Sequence, residues 1–134
     1  MGVVERIWVA FAALNGAIAV GAGAYASHGL AGDPRAQDLF RLAGQYQMWH
    51  ALALVGLVVL ARRAGGPARL ALRAAGWLFV TGILLFSGTL YALALSGPLA
   101  IAMTAPLGGT AFMLGWVVVA LAALVFGGRF FEDR

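Results

Sequence analysis

The chain is 134 residues long, 63% hydrophobic and 10% charged, against roughly 25% charged residues in soluble domains, which excludes a soluble globular domain and leaves room for one membrane domain. The formal charge is +4 and every basic residue is an arginine, so the expected polyanion is the lipid surface rather than nucleic acid, for which no soluble module is present. There is no cysteine, which excludes disulfides and thiolate metal sites.

From Ile7 to Ser27 no charge occurs, and Glu5 and Arg6 stand just before that stretch. Arg6, the apolar stretch and Ala24-Tyr25-Ala26 imitate a secretory leader, but the stretch exceeds the roughly 7–15 residues of a leader core and reads as a first transmembrane helix. Gly16, Gly21 and Gly23, set among Ala12, Ala19 and Ala22, give it a thin face where another membrane helix can approach closely. Asn15, its one strongly polar residue, reads as a helix-to-helix hydrogen bond.

His28-Gly29-Leu30-Ala31-Gly32 ends this helix, and Asp33-Pro34 starts the next as N-cap and first helical position. Residues 35–41 alternate charges with Leu39 and Phe40 and suit an interfacial start. Leu42 to Ala61 is then free of charge over 20 residues, which at about 1.5 Å per residue spans roughly 30 Å, the thickness of a bilayer core. Within it Gln45, Tyr46, Gln47, Met48, Trp49 and His50 form a polar island. Each polar group there must find a partner or carry a heavy desolvation cost.

Arg62-Arg63 closes the second helix, and Gly65-Gly66-Pro67 turns the chain into the third. Arg69 and Arg73 follow with stems long enough to snorkel, so anionic headgroups are expected at Arg62, Arg63, Arg69 and Arg73. Ala74 to Gly128 holds no charge over 55 residues, enough for two crossings, with the break at Ser96-Gly97-Pro98. The expected helices therefore cover about residues 7–27, 34–61, 67–95 and 99–127. Pro106 and Gly108-Gly109 predict a kink or a partly unwound first turn in the fourth, and Gly88 is a packing position in the third. Phe130 and Phe131 beside Arg129 suit the interface.

Four crossings put the N-terminus, the central loop and the C-terminus on one side. That side holds one, four and two arginines, against two in the first loop and none in the last, and the positive-inside rule predicts cytoplasmic termini. His28, Gln45, Tyr46, Gln47, His50, Ser87, Thr89, Tyr91 and Thr104 then all fall in the outer half, while the inner half is nearly all apolar. The sequence thus predicts an all-α, four-helix integral membrane bundle with these nine residues as a candidate polar cluster centred on His50.

Tyr46, Trp49 and Tyr91 as aromatic walls, with His50 as hydrogen-bonding group, would suit a lipid headgroup, a quinone-like ring or a partner's helix. The alternative is an oligomeric channel or transporter using His50, an ionisable group at depth. A metal or haem shared by His28 and His50 needs both rings within about 2.1 Å of one ion, which requires the glycine-rich loop to fold inward; no metal or cofactor is expected. No Ser/His/Asp set, Walker loop or paired carboxylate occurs, so a non-enzymatic protein is expected, and its small-residue faces predict a homo-oligomer.

Particular motifs run through nearly the whole chain: Gly23-Ala24, His28-Gly29-Leu30, Tyr46-Gln47 with His50, Phe86-Ser87-Gly88 with Leu90-Tyr91, and Pro106 with Gly108-Gly109. Together they resemble the small four-helix inner-membrane proteins of the YgdD type, a family carried as a domain of unknown function, with a small eukaryotic transmembrane branch. That family usually reads Phe-Gly-Ala where this chain has Tyr25-Ala26-Ser27. It also places a Thr directly before the helix-four Pro, where this chain has Ala105, with Thr104 one earlier. The resemblance implies the fold and a bacterial inner-membrane location, and it carries no activity.

Overall fold

The computed structural model describes residues 1–97 and 100–129. Within them four helices are long and apolar enough to cross a membrane: α1 (Val3–His28), α2 (Pro34–Arg63), α3 (Gly66–Ser96) and α4 (Thr104–Phe126). Pro98, the expected start of the fourth helix at Leu99, and Phe130 and Phe131 lie outside the described residues.

The helix ends follow from local chemistry. The Asp33 side chain accepts the Ala36 N–H at 3.0 Å and Pro34 opens α2, as the Asp-Pro pair predicts. α2 runs without a break from Pro34 through the charged residues 35–41 to Arg63. Its 30 residues extend about 45 Å, so the charged first turns stand in the interface while the rest crosses. Arg69 Nε donates to the carbonyls of Ala61 and Ala64 at 3.1 and 2.9 Å, capping the end of α2. α3 stops at Gly97, whose φ of 71° and ψ of −155° belong to a backbone region essentially restricted to glycine.

One expectation is corrected here. A 3₁₀ turn, Ala100–Met103, precedes α4, and α4 then stays α-helical through Pro106, Gly108 and Gly109. Pro106 falls in the first turn, where a missing N–H leaves no intrahelical bond unmade, so no unwinding results. The irregular turn lies instead in α3, where Ile83–Ser87 is a π-helical turn between α-helical segments Gly66–Gly82 and Gly88–Ser96.

α2 lies between α1 and α3, and α3 pairs with α4. α1 turns Trp8, Ala12, Asn15, Ala19, Ala22 and Ala26 inward, a stripe spaced by three and four residues, as one helix face requires. Gly16 abuts Met48, but Gly21 and Gly23 fall off that stripe, and nothing lies within 4 Å of where their Cβ would be; the same holds for Gly88 on the exposed side of α3. Among the described residues no neighbour thus approaches these three glycines on the side where a Cβ would stand, contrary to the close packing expected there. Close approach is concentrated between α3 and α4. A Cβ at Gly108 would strike the backbone of Phe86, one at Gly82 the Phe112 ring, and one at Gly115 the Phe79 ring, while Gly109 makes ordinary contact with Phe86. Phe79, Ile83 and Phe112 form the core of that seam together with Leu57 and Leu72.

Candidate functional site

Within the polar island of α2, Gln47 and His50 reach the other three helices by separate hydrogen bonds. Gln47 is buried and uses both ends of its amide: Nε2 donates to Asn15 Oδ1 on α1 at 2.7 Å, and Oε1 accepts the Tyr91 hydroxyl from α3. Asn15 in turn donates back to the Phe11 carbonyl at 2.9 Å. The result is a chain of hydrogen bonds across three helices. One turn from Tyr91, Ser87 donates to the Ala43 carbonyl at 2.8 Å from the end of the π turn. Thr89 and Thr104 join hydroxyls between α3 and α4.

His50 is 3% exposed and is held on every side. Its ring stacks on Phe112 with centroids 3.5 Å apart and planes within 10°, and Phe79 meets it edge-on at 5.2 Å. The Trp116 indole N–H, which can only donate, reaches His50 Nε2 at 3.1 Å. Nε2 is therefore the acceptor nitrogen, and Nδ1 carries the hydrogen toward the Tyr46 carbonyl 2.7 Å away. Both ring nitrogens are thus engaged by partners within the chain. These partners are an indole on α4 and a backbone carbonyl of α2 itself.

The cluster expected around His50 is thus corrected. Gln47, Ser87, Thr89 and His50 are buried, Tyr46, Tyr91 and Thr104 are half-buried, and His28 and Gln45 are exposed away from these bonds. Phe79, Phe86 and Phe112 occupy the space imagined as an aromatic-walled pocket, with Tyr46 packed against Phe86 at 4.9 Å. Trp116, Phe112 and Gln37, whose Nε2 donates to the Ala26 carbonyl at 2.8 Å, escaped notice in the sequence. Trp116 stands 66 residues from His50, and no local pattern pairs such positions. Among the described residues no group of three or more His, Asp or Glu gathers as a metal would need.

At the Arg73 end of the bundle, Arg73 pairs with Glu5 at 2.7 Å, joining α3 to α1. Glu5 Oε2, Trp8 Nε1 and Arg73 Nε are buried there without hydrogen-bond partners among the described residues. Of the four arginines expected at headgroups, Arg69 and Arg73 thus already hold bonds within the chain, while Arg62 and Arg63 are exposed.

The concave surface near the polar island lies on the other side of α2. A groove of about 380 Å³ runs between α1 and α2, floored by Ala19, Gly23 and Gly44 and edged by Val20, Phe40, Arg41, Gln45, Met48 and Trp49. Gly44 brings the helices together there, a Cβ at that position meeting the Ala19 carbonyl at 3.4 Å. Arg41, Gln45 and Trp49 recur every fourth residue along one side of α2, and among the described residues none of the three has a hydrogen-bond or ion-pair partner in the chain. Across Phe40 a second groove of about 310 Å³ is almost wholly apolar, between Ile18, Gly21 and Tyr25 on one side and Tyr91 on the other.

Comparison with known proteins agrees with this architecture. The family model described as "Protein of unknown function (DUF423)" matches residues 22–109. A UPF0382 membrane protein of Staphylococcus epidermidis is 37% identical over 127 residues, covering 92% of this chain and 99% of its own. The UPF0382 membrane protein YwdK of Bacillus subtilis is 35% identical over 123 residues, covering 90% and 98%, and a UPF0382 membrane protein of Haemophilus influenzae is 38% identical over 115 residues, covering 84% and 90%. No solved structure matches. The chain belongs to the DUF423 family, shared with the UPF0382 membrane proteins, and is a multi-pass helical protein of the bacterial inner membrane.

Proposed function

We propose that this is a non-enzymatic membrane protein that holds a membrane lipid in the groove between α1 and α2. The observation that carries this reading is the row of Arg41, Gln45 and Trp49, three donors without a partner among the described residues, along the edge of an otherwise apolar groove of about 380 Å³. Polar groups facing a bilayer need partners, and a lipid seated in the groove would supply them. The reading moves the ligand site away from His50, whose nitrogens are both bonded. That double engagement also weighs against the rival reading of a channel gated by His50. Association of several copies belongs to the proposal as well, through the outward Gly21 face of α1, where a Cβ would meet nothing within 4 Å. On its motifs we place the chain with the YgdD-type proteins.

Native mass spectrometry of the protein released from lipid nanodiscs tests the lipid site. A reproducible lipid mass on the wild type is expected, and Gly23→Leu, which fills the groove floor where a Cβ meets nothing, should lose it while thermal stability is kept. Bare wild-type protein, or a variant that retains lipid as well as the wild type, would overturn the proposal.

A further inference from the structure

We infer that the lipid taken by this groove is a phospholipid, its phosphate held by Arg41 and its ester region by Gln45 and Trp49; the inference rests on the lipid-site reading above. The three side chains stand on successive turns of α2, about 6 Å apart each and about 12 Å end to end. That order matches a phospholipid read inward from the surface: a charged phosphate, then ester carbonyls, then acyl chain. Arg41, in the charged first turns of α2, offers a planar fork that binds phosphate oxygens in pairs. Asp38, one turn before it, is the nearest acid in sequence, yet the two form no ion pair among the described residues, so the guanidinium remains free for an anion. Gln45 and Trp49 carry N–H donors suited to ester carbonyl oxygens, which have no hydrogen of their own to offer. The Trp49 ring, braced by Tyr46 at 5.1 Å, and Met48 then line the apolar stretch where a chain would lie.

The test uses nanodiscs containing equal amounts of phosphatidylglycerol and diacylglycerol with matched acyl chains, and native mass spectrometry to read which lipid stays on the protein. The wild type should retain the phospholipid over diacylglycerol by about tenfold or more, since a charge-assisted contact to phosphate is among the strong hydrogen bonds. Arg41→Gln should bring the two near parity while still carrying lipid, and Arg6→Gln, exposed at the start of α1 and far from the groove, should keep the wild-type ratio. Equal retention of both lipids by the wild type, or an undiminished preference in Arg41→Gln, would overturn the inference and leave the lipid site standing. A wild type that retains neither lipid would overturn the lipid site itself.

Discussion

The indole N–H of Trp116 donates to His50 Nε2 across the bundle at 3.1 Å and so determines which ring nitrogen carries the hydrogen. Because Trp116 is itself about half exposed on the outer surface of α4, this bond ties the lipid-facing side of the last helix to the centre of the second. A residue in such a position is a structural tie, and its loss should be read in stability.

Trp116→Phe is expected to lower stability by about 0.6 kcal/mol and by no more than about 1.7 kcal/mol, the span found for side-chain hydrogen bonds between membrane helices. A double-mutant cycle with His50→Phe, followed by reversible unfolding in bicelles, should return a coupling of similar size. Proton flux in liposomes should be the same for wild type and His50→Gln. A pH-dependent flux lost only in that variant would make His50 part of a conduit.

Gln47 is bonded at both ends, to Asn15 and to Tyr91, so its removal orphans two partners at once. Gln47→Leu should cost about 1–3 kcal/mol, clearly more than Tyr91→Phe, which removes one hydroxyl and leaves Asn15 bonded. Adding Asn15→Leu to Gln47→Leu should recover part of the loss, because one orphan is removed with it. Thermal midpoints of the four proteins in one detergent decide this; equal losses in the two single variants would break the relay.

Glycines of the same composition should respond in opposite directions. Gly108→Ala drives a Cβ into the backbone of Phe86 and should cost about 1–3 kcal/mol through overpacking. Gly88→Ala meets nothing within 4 Å and should be neutral or stabilising by up to about 1 kcal/mol through helix propensity. The measurement is the difference in unfolding midpoint between the two variants, and a destabilising Gly88→Ala would place an unseen contact at that face.

Arg73 and Arg62 lie near the same end of the bundle, but among the described residues only Arg73 of the two meets an acid, Glu5, at 2.7 Å. Arg73→Ala should therefore lower the thermal midpoint more than Arg62→Ala, since it leaves the Glu5 carboxylate without its partner. The double variant Glu5→Ala/Arg73→Ala should recover part of the loss. Indistinguishable single variants would mean that the pair contributes nothing beyond two surface charges.

The crossings were legible because each rests on a local property: a charge-free run long enough for a bilayer, closed by Asp33-Pro34, by Arg62-Arg63 with the glycines after it, and by Ser96-Gly97. Gln47 was also legible as a residue needing partners, since a buried amide in a membrane always does. Its partners were not. Asn15 lies 32 residues before it and Tyr91 44 residues after it, and such pairings depend on how helices are rotated, which no short pattern records.

The sequence by itself determined that this is a four-helix membrane protein and which of its helices had polar groups to satisfy. Hydrophobic length and end-capping are properties of one segment, so they can be read one segment at a time. Only the tertiary structure decided that His50 is enclosed by Phe112 and Trp116, that Gly108 rather than Gly21 or Gly23 makes the close contact, and that the accessible groove lies beside Arg41. Those outcomes depend on the facing surfaces of helices far apart in the chain, where the steric fit of one glycine against one backbone sets the rotation of both.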